Sequence, residues 1–320
     1  MLLYSAATVA GFALLIWGAD RFVIGAAGTA RNLGVPALLI GLTVVALATS
    51  APEILVSISA SLDGNADLAL GNAVGSNIAN VALVLGAAAL LRPLSVRSSV
   101  LQREMPALLA VTLLCVMLLL DNELSRLDGA LLLAGLFVVM HWLVRLATVP
   151  SESDPLTAEI EAEIPSGITM PRAVFWLVVG LAVLLGGSEL LVWGAHNLAL
   201  ALSVSDMIIG LTVVAVGTSL PELAVSMVSA LKKEHDIALG NIVGSNMFNC
   251  LAVIGPAGLI DPMIFDPSLL QLHLPVMIAV TLVLFGLTYN FTGSGHISRW
   301  HGLGLLLFFI GYEGHILGFF

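Results

Sequence analysis

Charge is what this 320-residue sequence has least of. Eleven Lys and Arg and twenty-one Asp and Glu leave it 10% charged, against about 25% in a soluble globular domain. Hydrophobic residues make up 59% of it, too many for the chain to cover itself with polar surface in water, so its solvent is lipid. That excludes a soluble enzyme and a disordered chain. With a formal charge of −10 and no dense Lys/Arg cluster, the sequence also lacks the cations that nucleic acid phosphates demand. Cysteine is nearly absent. Cys115 and Cys250 stand alone in apolar runs, as small core side chains do, and make no disulfide or zinc framework. The seven histidines follow no ligand spacing and no His–Cys cluster is present, which removes the usual zinc and copper sites.

What the sequence has in quantity is long apolar runs. With about 20 residues needed to cross the hydrocarbon, it divides into ten spans, near 2–24, 35–62, 67–91, 102–120, 128–148, 172–200, 204–231, 236–260, 268–289 and 302–319. No basic segment precedes the first run, so it reads as a mature helix and not a signal peptide. The one long polar stretch, Ser151–Ser166, carries Glu152, Asp154, Glu159, Glu161 and Glu163 and is a solvated linker. The expected organisation is a first five-helix unit over 1–149, an acidic cytoplasmic linker over 150–171 and a second five-helix unit over 172–320. Arg21, Arg31, Arg92, Arg97, Arg103, Arg145, Arg172, Lys232, Lys233 and Arg299 flank loops of one face, and Arg126 alone lies on the other. The basic face belongs in the cytoplasm, which places both termini outside a cell (inner) membrane.

A shift of 169 residues aligns the halves without a gap from Gly41 to Asn80, with 23 of 40 positions identical. Gly41–Ala46 matches Gly210–Ala215, and Thr49-Ser50-Ala51-Pro52-Glu53 matches Thr218-Ser219-Leu220-Pro221-Glu222. Gly71 to Asn80 matches Gly240 to Asn249. Five spans per half is an odd number, so the second copy crosses in the opposite sense. Inverted repeats of this kind build secondary transporters, whose substrate sites lie at the midplane between the repeats.

The polar residues gather where the copies agree best. Glu53 and Glu222 fall mid-span, where a carboxylate costs at least about 2.5–3.5 kcal/mol and normally faces a partner or a water-filled cavity. Each follows a proline, which removes a hydrogen bond and frees carbonyls around Ala46–Thr49 and Ala215–Thr218. Ser76 and Asn80, like Ser245 and Asn249, share a helical face. Gly71 and Gly75, with Gly240 and Gly244, provide small-residue seams for close helix approach. Every conspicuous polar group is an oxygen donor. Calcium takes six to eight hard oxygens, and sodium could occupy an overlapping set. The residues alone thus point to a hard-cation exchanger.

Thr-Ser-x-Pro-Glu and Gly-Asn-x-x-Gly-Ser-Asn-x-x-Asn, each present twice, resemble the two alpha repeats of the calcium/cation antiporter superfamily, in its sodium/calcium exchanger-like branch of bacterial and archaeal members. The resemblance implies a central ion surrounded by Glu53, Glu222, Asn80 and Asn249. It implies hydroxyls of Ser50, Ser219, Ser76 and Ser245 at flanking sodium sites, completed by the carbonyls of Ala46, Thr49, Ala215 and Thr218. The mechanism implied is alternating access, with spans one and six sliding as the gate, no cofactor, and inorganic cations as the partners of a monomer or weak homodimer. Certain members, potassium-dependent exchangers among them, have aspartate in place of Asn80 or Asn249, and the acid motif is not the Gly-Asn-x-x-Glu of proton/calcium exchangers, so sodium is the expected counter-ion and a proton-coupled or potassium-dependent antiporter the alternative. An intramembrane lipid phosphatase, the remaining alternative, would need a cationic clamp, and neither repeat core contains one.

Other groups fit blander roles. Asn72, Asn77, Asn241 and Asn246 suit interhelical hydrogen bonding as well as ion binding. Asp20 and Glu189 are expected at helix ends, outside the site. The five tryptophans suit interfaces or packing.

Overall fold

The computed structural model describes residues 1–96, 101–148, 168–202, 215–288 and 295–318. Twelve helices and four short strands run through them. They are α1 (Leu2–Leu33), α2 (Ala37–Thr49), α3 (Ala51–Leu62), α4 (Ala66–Leu91), β1 (Leu94–Val96), α5 (Leu101–Leu118), β2 (Glu123–Leu124) and α6 (Arg126–Thr148). Then follow α7 (Met170–Ala201), α8 (Ala215–Thr218), α9 (Leu220–Leu231), α10 (His235–Ile260), β3 (Met263–Ile264), α11 (Leu269–Thr288), β4 (Gly295–Ile297) and α12 (Arg299–Ile316). Six of these helices are long and apolar enough to cross a membrane, and α2 with α3, bent by 43°, makes a seventh crossing if it is one span. The acidic linker and the first part of the expected span 204–231 lie outside the described residues.

At the centre stand α4 and α10. The helix from His235 to Ile260 is buried along its length, whereas α1, α6 and α7 bury only about a quarter of theirs. The main apolar cluster joins α2, α4, α5, α10 and α11 through Leu42, Leu70, Ile78, Cys115, Leu239 and Met277, among others. Exposed residues such as Phe12, Phe137 and Val178 are apolar because their solvent is hydrocarbon and not water. Two antiparallel strand pairs clip the loops. Leu94–Val96 lies against Gly295–Ile297, and Glu123–Leu124 against Met263–Ile264.

The two longest helices form a separate pair at the periphery. Both α1 and α7 have 32 residues, about 48 Å at 1.5 Å per residue, well beyond the ~30 Å hydrocarbon core. They run antiparallel, with Gly11 against Leu191, Gly18 against Leu184 and Gly25 against Leu177. The reciprocal contacts are Gly180 on Phe22, Gly187 on Leu15 and Gly194 on Thr8. Three glycines on each helix thus recur every seven residues, the spacing that keeps one seam facing its partner. The backbones themselves touch: a Cβ added at Gly187 would stand 2.6 Å from the Leu15 nitrogen. Arg21 lies over the rings of Trp17 and Trp176, one from each helix, at 5.6 and 4.8 Å.

The length of α1 corrects the sequence expectation. The apolar run weakens near residue 24, but the helix continues to Leu33. It ends at Gly34, whose φ of 65° is the left-handed cap and whose N–H reaches the Ala30 and Arg31 carbonyls. Asp20 and Glu189 are therefore interior residues of long helices, not terminal ones. An apolar ruler measures how much helix lipid can hold; it does not see helix that leaves the hydrocarbon with its backbone bonds intact. Asp20 is paired with Lys232 at 2.7 Å, joining α1 to the end of α9.

Candidate ion-binding site

Each Pro-Glu motif sits where one helix stops and another starts. Ser50 interrupts α2 and α3 with φ −82° and ψ 3°. Ser219 interrupts α8 and α9 with φ −86° and ψ 4°. The two copies of the repeat break in the same way at the same register. Pro52 and Pro221 occupy the first turn of the new helix, where a missing N–H costs nothing because the first four donors have no intrahelical partner. Glu53 and Glu222 are the acidic residues of those first turns, near the positive end of the helix dipole. A proline expected to kink a continuous helix thus opens a second one, and it sets the carboxylate at that helix's start.

The two asparagines are positioned by another irregularity. Asn80 opens a π-helical turn over Asn80–Leu85, and Asn249 opens the matching one over Asn249–Val253. A π-turn inserts one residue into the ladder and re-aims the side chains around it, and such bulges concentrate at functional sites. The second bulge ends at Val253, whose carbonyl takes the Ser57 hydroxyl at 2.7 Å. Close packing holds the bulged helix against α2. Gly240 and Gly244 lie against the Leu38 and Leu42 carbonyls, where a Cβ would come within 2.6 Å. At Gly71 and Gly75 no described atom lies within 4 Å of an added Cβ.

These elements bring most of the expected residues together. Ser50, from the first copy, donates its hydroxyl to Glu222 Oε1 of the second at 3.2 Å. Thr49 Oγ1 donates to Asn241 Oδ1 at 3.0 Å. Asn241 in turn donates to Ser226 Oγ at 3.0 Å and to the Glu222 carbonyl at 3.4 Å. Ala46, Thr49, Ser50, Glu53, Ser76, Asn80, Ser219, Glu222, Ser245 and Asn249 are all at most 5% exposed. The Ala46 carbonyl already accepts the Ser50 N–H at 2.9 Å and the Thr49 hydroxyl at 3.3 Å. Thr218 is half-buried and Ala215 opens α8.

What distinguishes this cluster is unmet oxygen. Glu53 Oε2, Glu222 Oε2, Asn80 Oδ1, Asn249 Oδ1, Ser219 Oγ and Ser245 Oγ are buried without a hydrogen-bond partner. Native interiors satisfy nearly all such atoms, and an orphan calls for an explanation. Among the described residues neither glutamate has a Lys, Arg or His within ion-pair distance, so nothing of the protein neutralises them. Two carboxylates, two amide carbonyls and two hydroxyls, buried and matched in pairs across a repeat, are the type of oxygen donor from which a cage for a hard cation is built. No group of three or more His, Cys, Asp or Glu converges among the described residues.

Asn241 serves as a clamp between the copies, the interhelical role that suits it from the sequence. Two features had no reading in the sequence. Ser57 and Ser226, each four residues after a glutamate and 169 apart, are fully buried; their common repeat register was the available signal. The π-turns left no mark in residue type that separates them from ordinary helix.

The sodium/calcium exchanger protein family model matches residues 3–145 and 172–317. Over 313 residues, 98% of both chains, the sequence is 47% identical to a putative antiporter, CaxA, of Alkalimonas amylolytica. It is 34% identical to the sodium/calcium exchanger MaX1 of Methanosarcina acetivorans, covering 94% of this chain and 95% of that one. Among solved structures, the sodium-calcium exchanger NCX_Mj soaked with Na+ and Sr2+ superposes with a TM-score of 0.83 at 32% identity, over 97% of each chain.

Proposed function

Because the chain belongs to the sodium/calcium exchanger protein family, and is thus a multi-pass membrane antiporter of inorganic cations and not an enzyme, we propose that it exchanges Ca2+ for Na+ at the cage described above. The observation that carries this reading is the set of buried, unpartnered oxygens contributed in matched pairs by Glu53, Glu222, Asn80, Asn249, Ser219 and Ser245. Calcium takes six to eight such oxygens, and the two carboxylates offset its two charges. The hydroxyls of Ser50, Ser219, Ser76 and Ser245, with the carbonyls of Ala46, Thr49, Ala215 and Thr218, extend the cage to flanking sodium positions. Calcium and sodium then compete for shared oxygens, which is what couples their movements in opposite directions.

Access alternates, in this account, as α1 and α7 move together across the remaining helices. Their glycine seam supports this, since backbone contact along its length makes the pair one body. So does the site itself, which is assembled by α2, α3, α4, α8, α9 and α10 with no residue of the pair. The membrane layout proposed is ten spans as two inverted sets of five, with 1–149 and 172–320 joined by the acidic linker and both termini outside the cell (inner) membrane. The strand pairs agree with it, because each joins two loops assigned to one side. No partner beyond lipid and cations is needed.

Everted membrane vesicles loaded with radiocalcium test the coupling. An imposed sodium gradient should move calcium, and collapsing a pH gradient should leave that movement intact. Calcium flux that follows the pH gradient and ignores sodium would replace this reading with proton coupling.

A further inference from the structure

The shift of 169 residues that superimposes the two repeats also matches their polar networks, and there the halves differ. In one half the network is closed. Thr49 Oγ1, at the end of α2, donates to Asn241 Oδ1 at 3.0 Å. The Asn241 amide donates in turn to Ser226 Oγ at 3.0 Å and to the Glu222 carbonyl at 3.4 Å. One fully buried side chain thus ties α2 to α9 from its place on α10. The residues at the matching register are Thr218, Asn72, Ser57 and Glu53. Asn72 Nδ2 has no hydrogen-bond partner, and Ser57 gives its hydroxyl to the Val253 carbonyl. Packing follows the same division. Gly240, Asn241 and Gly244 are buried, whereas Gly71 is exposed and Asn72 and Gly75 are half-buried. A Cβ added at Gly240 or Gly244 would meet the Leu38 or Leu42 carbonyl oxygen at 2.6 or 2.5 Å, but at Gly71 or Gly75 it would meet no described atom within 4 Å.

We propose that Asn241 and Asn72 are alternate latches that decide which end of the cage is shut. Asn241, latched here, closes the end toward His235, which is cytoplasmic in the layout proposed above. When access reverses, Asn241 lets go and Asn72 closes the opposite end with the matching bonds. Its Oδ1 then accepts from Thr218, and its amide donates to Ser57 and to the Glu53 carbonyl. An inverted repeat supplies two equivalent arrangements of one set of parts, and a two-state element needs interactions that differ between its states. A primary amide suits the task. It carries an acceptor and two donors on one short side chain, and it adds no charge beside the cage carboxylates. Because the Glu222 carbonyl is among its partners, Asn241 bears on the helical turn that presents Glu222, which makes it a positioning residue. This inference rests on the cage and the alternating access proposed above, and it adds the groups that set the side.

The test measures how fast a water-soluble maleimide labels one reporter cysteine in the purified full-length protein. Leu42→Cys reports the latched end, where Leu42 is fully buried against Gly244. Gly71→Cys reports the other end, where the backbone is exposed and a side chain has room. The wild-type chain, whose Cys115 and Cys250 are fully buried, gives the background. Adding Asn241→Ala should speed labelling at Leu42→Cys and slow it at Gly71→Cys. The ratio of the two rates should change roughly tenfold, the scale of one or two net hydrogen bonds lost from one of two states. Asn72→Ala should move the ratio in the opposite direction. Thr49→Val keeps the shape and removes the hydroxyl that Asn241 accepts, so it should shift the ratio as Asn241→Ala does, and it carries the test should that variant fail to fold. A ratio that stays put, or one that moves the same way in both asparagine variants, would overturn the proposal. Labelling needs no ion flux, so the two readings fail separately. An unmoved ratio beside intact sodium-driven calcium uptake dismisses the latch alone, and the expected shifts in a protein that moves no calcium dismiss the antiport reading alone.

Discussion

Glu53 and Glu222 are surrounded by oxygen acceptors and hydroxyls and by no described cation. In a membrane interior that arrangement is expensive unless an ion from outside completes it. Replacing either glutamate by glutamine keeps the shape and removes one charge from the cage. The Ser50 hydroxyl acts more gently. It orients Glu222 Oε1 from the opposite copy of the repeat, and a hydrogen bond to a charged group contributes about 1.5–3 kcal/mol. Ser50→Ala should therefore raise the calcium concentration for half-maximal flux by roughly tenfold or more, with the protein's thermal unfolding nearly unchanged. A variant with wild-type calcium dependence would show that Ser50 only packs. The residues of the proposed cage could be named from the sequence, because two copies of one motif vote together and a buried acid in lipid has few innocent explanations.

At the scale of elements, irregularities do the positioning. A serine break, a proline start and a π-turn recur in both halves, each at one register of the repeat. The breaks could be read from Pro52 and Pro221. The π-turns could not, since an extra residue in the hydrogen-bond ladder is decided by packing and not by local preference. The length of α1 was also misjudged from sequence, as Asp20 demonstrates, because hydropathy records the membrane's thickness and not where a backbone ladder ends. The α1–α7 seam makes a sharp prediction. At Gly18 or Gly187 a Leu side chain would start within 2.6 Å of the facing backbone. Either substitution should force the helices apart, lower the unfolding temperature and abolish flux. Gly186→Leu, one residue away and facing no described atom within 4 Å, should do neither. Movement of the pair as one body is checked by crosslinking. A short bismaleimide joining Tyr4→Cys on α1 to Trp193→Cys on α7, whose rings stand 5.5 Å apart off the glycine seam, should leave exchange running. The same reagent joining Asp20→Cys to Lys232→Cys should stop it, because it ties the pair to α9. Exchange that survives the second crosslink would mean that α1 does not slide past the site.

At the scale of the whole molecule, one scarcity does two jobs. Few cations are present, and nearly all cluster at one end of the helices, which sets the proposed orientation. Few acids are buried in the hydrocarbon, and the two at matched registers define the cage. The end with Asp20, Lys232 and Glu234 is held by charge. Burial raises the Glu234 carboxyl from its usual range, and the nearby Arg31 opposes that rise. A carboxyl raised in the folded protein favours folding most when protonated, so its contribution fades as pH climbs through the raised value. Glu234→Gln should accordingly remove a fall in stability that begins as pH rises above the ordinary carboxylate range, measured by unfolding temperature against pH; an unchanged profile would assign no role to this group. The orientation is tested by fusing a reporter to the C-terminus. A periplasmic phosphatase should be active there and a cytoplasmic fluorescent protein dark, and the reverse would turn the whole layout over.

The most direct test of the account is radiocalcium uptake into sodium-loaded proteoliposomes by the wild type, Glu53→Gln and Glu222→Gln, with folding verified by gel filtration. The account predicts sodium-driven uptake in the wild type and a loss of roughly a hundredfold in each variant, the upper range for disturbing a metal's ligand set. Uptake at the wild-type rate in both variants would contradict it, because a cage that works without its carboxylates is not the site of exchange.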